Sequence, residues 1–226
     1  VKIHNVEQGS PEWLRIRLGK ATASEFAKIL TPGGKLSAQA DAYARRLARE
    51  CVIDEPEELR AYPSKAMQWG TKHEPEAREA YMLATGHDVA QVGFVTHDRH
   101  GCLGCSPDGI IVENPCVPMD GNNYYLFGLE IKCPSIDTLT EWLLHKDMDD
   151  PQFVPSEYLP QIHGSMVVTG LRRWDFCGFF PGVPTVISTV TWNDYTDRLQ
   201  KALFEFADRY RVIAADVWRV LGKGEA

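Results

Sequence analysis

The chain has 226 residues, 44% of them hydrophobic and 24% charged, enough to bury a core of its own in the manner of an ordinary globular protein. No apolar run reaches the roughly 20 residues of a membrane span, the stretch Val1-Lys2-Ile3-His4-Asn5 lacks the apolar centre of a signal peptide, and the six cysteines read as reduced thiols of a cytoplasmic protein rather than a disulfide framework. The formal charge of −7 excludes a uniformly basic surface, but its distribution is uneven: net +4 over residues 1–50, −12 over 51–160 and +1 over 161–226, so the first segment attracts phosphate and the second suits a divalent cation.

Ser10-Pro11-Glu12 predicts a helix start, with a capping Ser, Pro in the first turn and an acid behind it, and Gly19 stops that helix. A second short helix is expected from Thr22-Ala23-Ser24-Glu25 to Leu30, then a loop at Thr31-Pro32-Gly33-Gly34, then a helix from Ser37 to about Cys51. An acidic, proline-containing loop covers residues 54–64. A longer helix is expected over residues 65–84, kinked or restarted at Pro75 and ended by Gly86. Residues 89–96, 102–104, 109–112 and 124–132 read as strands, rich in β-branched and aromatic side chains and bounded by turn residues. Helices over 136–146 and 156–169 follow, then strands over 174–180 and 186–191. Asn193 caps a long last helix to about Leu221, whose stripe Leu199, Leu203, Phe206, Tyr210, Ile213, Val217 and Val220 is favoured as a core-facing face over a subunit-contacting coil. The element order predicts one α/β (α+β) domain over residues 1–226, with a central mixed sheet flanked by helices.

The chemistry concentrates at Pro107-Asp108 and Glu130-Ile131-Lys132. Residues i and i+2 of a strand share a face, so Glu130 and Lys132 project together. Asp108, in the tight turn Ser106-Pro107-Asp108-Gly109 before a neighbouring strand, can face the same point. Two carboxylates and the Ile131 carbonyl between Glu130 and Lys132 suit a hard cation such as Mg²⁺, and a lysine beside it can orient or deprotonate an attacking water. A surface Glu–Lys pair with an unrelated turn Asp is the competing reading. It is weakened by the apolar run Tyr124-Tyr125-Leu126-Phe127-Gly128-Leu129, where unpartnered charges are costly.

Six blocks then occur in order: Glu7-Gln8-Gly9-Ser10-Pro11-Glu12-Trp13 with Arg17-Leu18-Gly19; Thr22-Ala23-Ser24-Glu25; Trp69-Gly70 with Glu74 and Ala77-Arg78; Cys105-Ser106-Pro107-Asp108-Gly109; Leu129-Glu130-Ile131-Lys132-Cys133-Pro134; and Gln161 with Ser165-Met166. In these the chain resembles the lambda exonuclease group of viral recombination nucleases, the YqaJ-like family of the PD-(D/E)xK nuclease superfamily. The resemblance implies a restriction-endonuclease-like core with Asp108 and Glu130 as metal ligands and Lys132 as catalytic lysine. It implies Glu74 as a further acidic ligand and Gln161 as a positioner of water or of a metal-bound group. Arg17, Ser24 and Ser106 would grip the 5′-phosphate of the degraded strand. It implies two Mg²⁺ ions per site, with Mn²⁺ able to substitute, and 5′-to-3′ degradation of one strand of linear duplex DNA. A ring-shaped homotrimer on DNA ends, a phage single-strand annealing protein as partner and a phage- or prophage-encoded protein in the bacterial cytoplasm complete the expectation.

Other arrangements compete. His97, His100, Cys102 and Cys105 have the residue types of a zinc site, with pairs closer than in a usual finger. His73 and His163 flank Glu74 and Gln161. The cysteines are too dispersed for an iron–sulfur nuclease. A site-specific or structure-specific endonuclease on the same core, and a non-catalytic scaffold that binds DNA ends, are the alternative functions.

Overall fold

The structure, a computed structural model, describes residues 1–55, 64–112, 125–145 and 153–222. The acidic loop noted above and the connection between Val112 and Tyr125 lie largely outside these residues. The predicted helices are present as α1 (Pro11–Arg17), α2 (Ala40–Ile53), α3 (Lys65–Thr85), α4 (Ile136–His145), α5 (Leu159–Thr169) and α6 (Asp194–Val220). The short helix expected after Thr22 is a 3₁₀ segment over Ala23–Lys28, and a second 3₁₀ turn, Ser156–Tyr158, leads into α5.

The strands divide between two sheets rather than forming one. β1 (Lys2–His4), β4 (Phe94–Thr96), β5 (Leu103–Cys105) and β2 (Ala21–Thr22) make a four-stranded mixed sheet in that order. β3 (Val89–Ala90), β6 (Gly109–Val112), β7 (Tyr125–Lys132), β8 (Arg173–Gly178) and β9 (Val186–Thr191) make a five-stranded one, with β7 and β8 parallel. The single strand expected over residues 89–96 is thereby split. Gly93 sits at the break, where a Cβ would stand 2.0 Å from the Val6 carbonyl oxygen and 2.8 Å from that of His4. Only glycine admits such an approach of two backbones.

Strand alternation sorts β7 between two cores. Phe127, Leu129 and Ile131 pack against Ala77 and Tyr81 of α3, while the even-numbered residues face the side on which α5 lies. The larger core unites α2, α5, α6 and the 3₁₀ segment around Phe26, Leu47, Ile162, Met166, Trp174, Leu199 and Leu203. Gly164 of α5 lets Phe26 reach the helix, since a Cβ there would lie 2.2 Å from the Phe26 ring. We expect Gly164→Ala to cost about 1–2 kcal/mol, overpacking outweighing the gain in helix propensity. Thermal unfolding of the variant checks this; an unchanged or raised midpoint refutes it.

α3 runs through Pro75 without the restart that was one of the two expected outcomes. Proline removes the amide that would bond to Thr71. Packing on both sides of that gap holds the helix: Trp69 stacks on Phe180 at 5.4 Å, and Ala77 and Tyr81 are fully buried. Tyr81 also donates to Asp175 of β8 at 2.8 Å, and Asp175 is itself held by Arg173 at 3.1 and 3.0 Å and by Thr189 at 2.9 Å. In α6 the apolar stripe is core-facing, as favoured. Leu199, Leu203, Phe206 and Tyr210 are buried, and Phe206 stacks on Tyr43 of α2 at 5.7 Å. The stripe fades to an exposed Val220.

Candidate active site

The β6–β7 hairpin builds the centre of the site. Gly109 pairs with Leu129, so continuing that register by one residue sets Asp108 opposite Glu130. The Ile131 amide donates to Asp108 Oδ2 at 2.6 Å; the sequence had drawn attention to the carbonyl of that residue, and the structure engages its N–H. Gln8 steadies the turn by donating to the Pro107 carbonyl at 2.9 Å and the Val92 carbonyl at 3.0 Å. Glu130 is only 1% exposed. Its Oε1 accepts from Lys132 Nζ and from Gln161 Nε2 at the start of α5, while its buried Oε2 has no hydrogen-bond partner. Glu74, one turn before Arg78 on α3, accepts from Arg78 Nη2, and Arg78 Nε donates to the Asp108 carbonyl at 3.1 Å. The five residues expected to act together are therefore brought to one place.

Their charges do not balance. Three carboxylates face two cations, Lys132 and Arg78. Burial, and then the nearby carboxylate of Asp108, pushes the Glu130 carboxyl up to about 8, against the pull of Lys132. Burial raises Asp108 as well, and burial followed by the Asp108 charge raises Glu74. Burial alone would lower the Lys132 ammonium; Glu130 and Asp108 outweigh it and hold the lysine charged. The shifts of Glu130 and Lys132 oppose each other, since a neutral Glu130 would remove what raises Lys132. With the Lys132 side chain 25% exposed and that of Glu130 almost sealed, the ionised lysine is the firmer assignment, and the excess negative charge resides on the carboxylates. An orphaned carboxylate oxygen in an all-oxygen donor set with excess negative charge fits a hard divalent cation. Asp108, Glu130 and Glu74 would hold it. The carboxylates accept from Lys132, Gln161 and Arg78, and among the described residues no three His, Cys, Asp or Glu side chains are gathered closely enough to grip an ion.

The phosphate-binding candidates lie at the same end. Strands β2 and β5 are parallel, with Thr22 paired to Gly104, so the chain leaves both toward Ser24 and Ser106. Ser106 Oγ accepts from Arg17 Nη1 at 3.4 Å and from Trp13 Nε1 at 3.0 Å, and the Arg17 guanidinium lies 4.0 Å over the Trp13 ring. Thr22, not Ser24, holds the cap position of the 3₁₀ segment. The exposed Ser24 hydroxyl meets Thr22 Oγ1 at 3.3 Å and is not consumed as a helix cap.

Three residues that the sequence reading did not single out support the site. Tyr158 places its ring 5.3 Å beneath the Lys132 ammonium and stacks on Phe176 at 5.7 Å; its position one helical turn before Gln161 was the available signal. Trp13 and Arg78 stood within the recognised blocks without a role. The flanking histidines turn elsewhere. His73 bonds Glu76 at 3.0 Å and packs on Trp69. His163 bonds Thr196 at 2.7 Å, tying α5 to the start of α6, and burial pushes its pKa down to about 4, so it stays neutral. The four candidate zinc residues do not assemble. His97 Nδ1 accepts from the His100 amide at 3.1 Å, which puts the ring proton on Nε2 and removes it as a neutral ligand. Both rings pack on Phe204, and Cys105 is sealed in the core.

A family model of the YqaJ-like viral recombinase domain matches residues 12–172. Among solved structures, an alkaline exonuclease from Laribacter hongkongensis is similar with a TM-score of 0.69 and 24% identity, over 93% of this chain and 100% of that one. Its complex with dAMP gives the same values. A phage-related exonuclease from Haemophilus somnus is similar at TM-score 0.54 and 13% identity, over 89% and 96% of the two chains. These likenesses establish the fold. No curated protein matches the chain.

Proposed function

The chain belongs to the YqaJ-like viral recombinase family, and from that premise we propose that it is a Mg²⁺-dependent exonuclease that degrades one strand of linear duplex DNA from 5′-phosphorylated ends, leaving 3′ single strands for recombination by annealing. One observation carries the reading: Ser106 joins the two halves of the site. Its hydroxyl contacts Arg17, and two residues later the same turn presents Asp108 to the Ile131 amide, next to Glu130. A phosphate held by Arg17, Ser24 and Ser106 would lie beside the carboxylates, and with the terminal 5′-phosphate seated there, as the family resemblance implies, the bond next to it meets them. An enzyme that cuts within a duplex has no use for a terminal-phosphate grip next to its scissile centre.

Within that reading each side chain has a task. Arg17, steadied by the Trp13 ring, offers its fork to the end phosphate. Asp108, Glu130 and Glu74 would hold Mg²⁺, which supplies charge to the phosphate oxygens and acidifies water. Lys132, fixed between Glu130 and Tyr158, orients the attacking water and compensates the charge gathering on the phosphate. Gln161 holds Glu130 in place. The names of the structural neighbours, an alkaline exonuclease and a phage-related exonuclease, support this reading. A ring-shaped homotrimer, an annealing-protein partner and two ions per site accompany it as parts of the same proposal.

The test is end-labelled linear duplex, with and without a 5′-phosphate, in Mg²⁺ or EDTA, beside closed circular DNA. Mg²⁺-dependent release from the 5′ end that spares circles is expected; cutting of circles would establish an endonuclease, and end binding without turnover a scaffold. Arg17→Lys keeps the charge and loses the fork. We expect its kcat/KM to fall about 10- to 100-fold on 5′-phosphorylated ends, the worth of one charge-assisted hydrogen bond. On 5′-hydroxyl ends it should scarcely change. An equal loss on both would remove Arg17 from the phosphate pocket.

A further inference from the structure

Arg78 ties its own helix to the turn that carries Asp108. Its Nη2 donates to Glu74 on its own helix, and its Nε donates to the main-chain carbonyl of Asp108 at 3.1 Å. The Arg78 side chain is 11% exposed, whereas the Glu74 side chain it holds is 35% exposed. Glu74 lies on a helix on the opposite side of the five-stranded sheet from α5, so no strand register fixes it relative to Asp108 and Glu130. Helix α3 itself is pinned at Tyr81, two turns away, through Asp175. Between that anchor and Glu74, the hydrogen bond among the described residues that reaches the Asp108 turn comes from Arg78.

We propose that Arg78 is a positioning residue for the divalent-cation site: it clamps Glu74 to the turn that presents Asp108, so that a carboxylate built on a helix and two built on a sheet act on one ion-binding centre. The inference rests on the metal-dependent reading of the site given above. Electrostatics alone would give Arg78 the opposite effect. A positive charge beside a cation site repels the cation, so removing it should tighten binding. A clamp that pre-orders a long, half-exposed glutamate saves that side chain's conformational entropy, so removing it should weaken binding about tenfold. Only Glu74 Oε1 is bonded to Arg78, which leaves the other oxygen to face a ligand.

The experiment is Mn²⁺ titration of the full chain, followed by electron paramagnetic resonance or calorimetry, for wild type, Arg78→Gln, Arg78→Lys, Glu74→Gln and the Arg78→Gln/Glu74→Gln double variant. Thermal midpoints in EDTA report whether each variant is folded. Both Arg78 variants should bind Mn²⁺ about tenfold more weakly than wild type. In the Glu74→Gln background, Arg78→Gln should add less than about a twofold further loss, because its effect passes through Glu74. Tighter binding by Arg78→Gln, or wild-type binding by Arg78→Lys, overturns the clamp in favour of a charge effect. An undiminished loss in the Glu74→Gln background overturns it in favour of a general structural role. If Arg78→Gln does not fold, the Arg78→Lys and Glu74→Gln pair carries the same comparison. Absence of Mn²⁺ binding by wild type defeats the metal-dependent reading itself, and the clamp with it.

Discussion

Glu130→Gln should leave a protein that is more stable than wild type at pH 8.5 in EDTA and cleaves on the order of a thousandfold more slowly in Mg²⁺. The folded carboxyl is pushed up to about 8 from a reference of 4.5. A raised carboxyl contributes its stability below the unfolded value, and that stability is lost as pH rises through the folded value. The loss therefore begins near pH 4.5 and runs up to the raised folded value. Glutamine escapes it, since its amide carries no charge and its oxygen still accepts from Lys132 and Gln161. At pH 5.5 the advantage should be much reduced. Mg²⁺ should raise the wild-type midpoint strongly at pH 8.5 and weakly at pH 5.5, where a proton competes for the same carboxylate, and should scarcely move Glu130→Gln at either. Melting curves at the two pH values decide it. A variant less stable than wild type at pH 8.5 would mean that Glu130 is satisfied within the fold, and the argument for a cation there would fail.

Such a trade of stability for function explains why the centre of the site was legible in the sequence. A Glu and a Lys two residues apart in an apolar strand make sense only if something keeps them charged. The P-D turn and the strand carrying Glu130 and Lys132 followed from local pattern, as did the Ser10 cap of α1 and the Asn193 cap of α6, the latter closing a reciprocal box with Thr196. The rest depends on partners distant in sequence. Strands of two or three residues carry no period by which to tell one sheet from two. Pro75 predicts a break by local rule, yet α3 is held by contacts to Phe180 and to the sheet, which lie far along the chain. Arg78 reads as a helix-surface arginine until the fold brings the Asp108 carbonyl to it across 30 positions. Tyr158 reads as a residue of a helix's first turn until it lies beneath Lys132. In each case the decisive contact is a side chain meeting a main-chain atom or a ring face, which no spacing rule encodes.

Lys132→Met separates an enzyme from a scaffold most sharply. Methionine fills similar volume over the Tyr158 ring but carries no charge. Turnover on 5′-phosphorylated linear DNA should fall on the order of a thousandfold, from the loss of both water orientation and charge compensation. Mn²⁺ affinity should rise, because the variant removes a cation bonded directly to Glu130. Affinity for DNA ends in Ca²⁺ should hold within a few-fold, since Arg17, Ser24 and Ser106 are untouched. Tighter metal, retained ends and lost turnover together are what a catalytic lysine predicts. A structural lysine predicts another pattern: with its neutralising charge gone, the carboxylate cluster would weaken the fold most at alkaline pH, and metal, end binding and any cleavage would decline together. Measuring the three quantities on one preparation at pH 7 and pH 8.5 distinguishes the two, because only the catalytic assignment makes metal affinity and rate move in opposite directions.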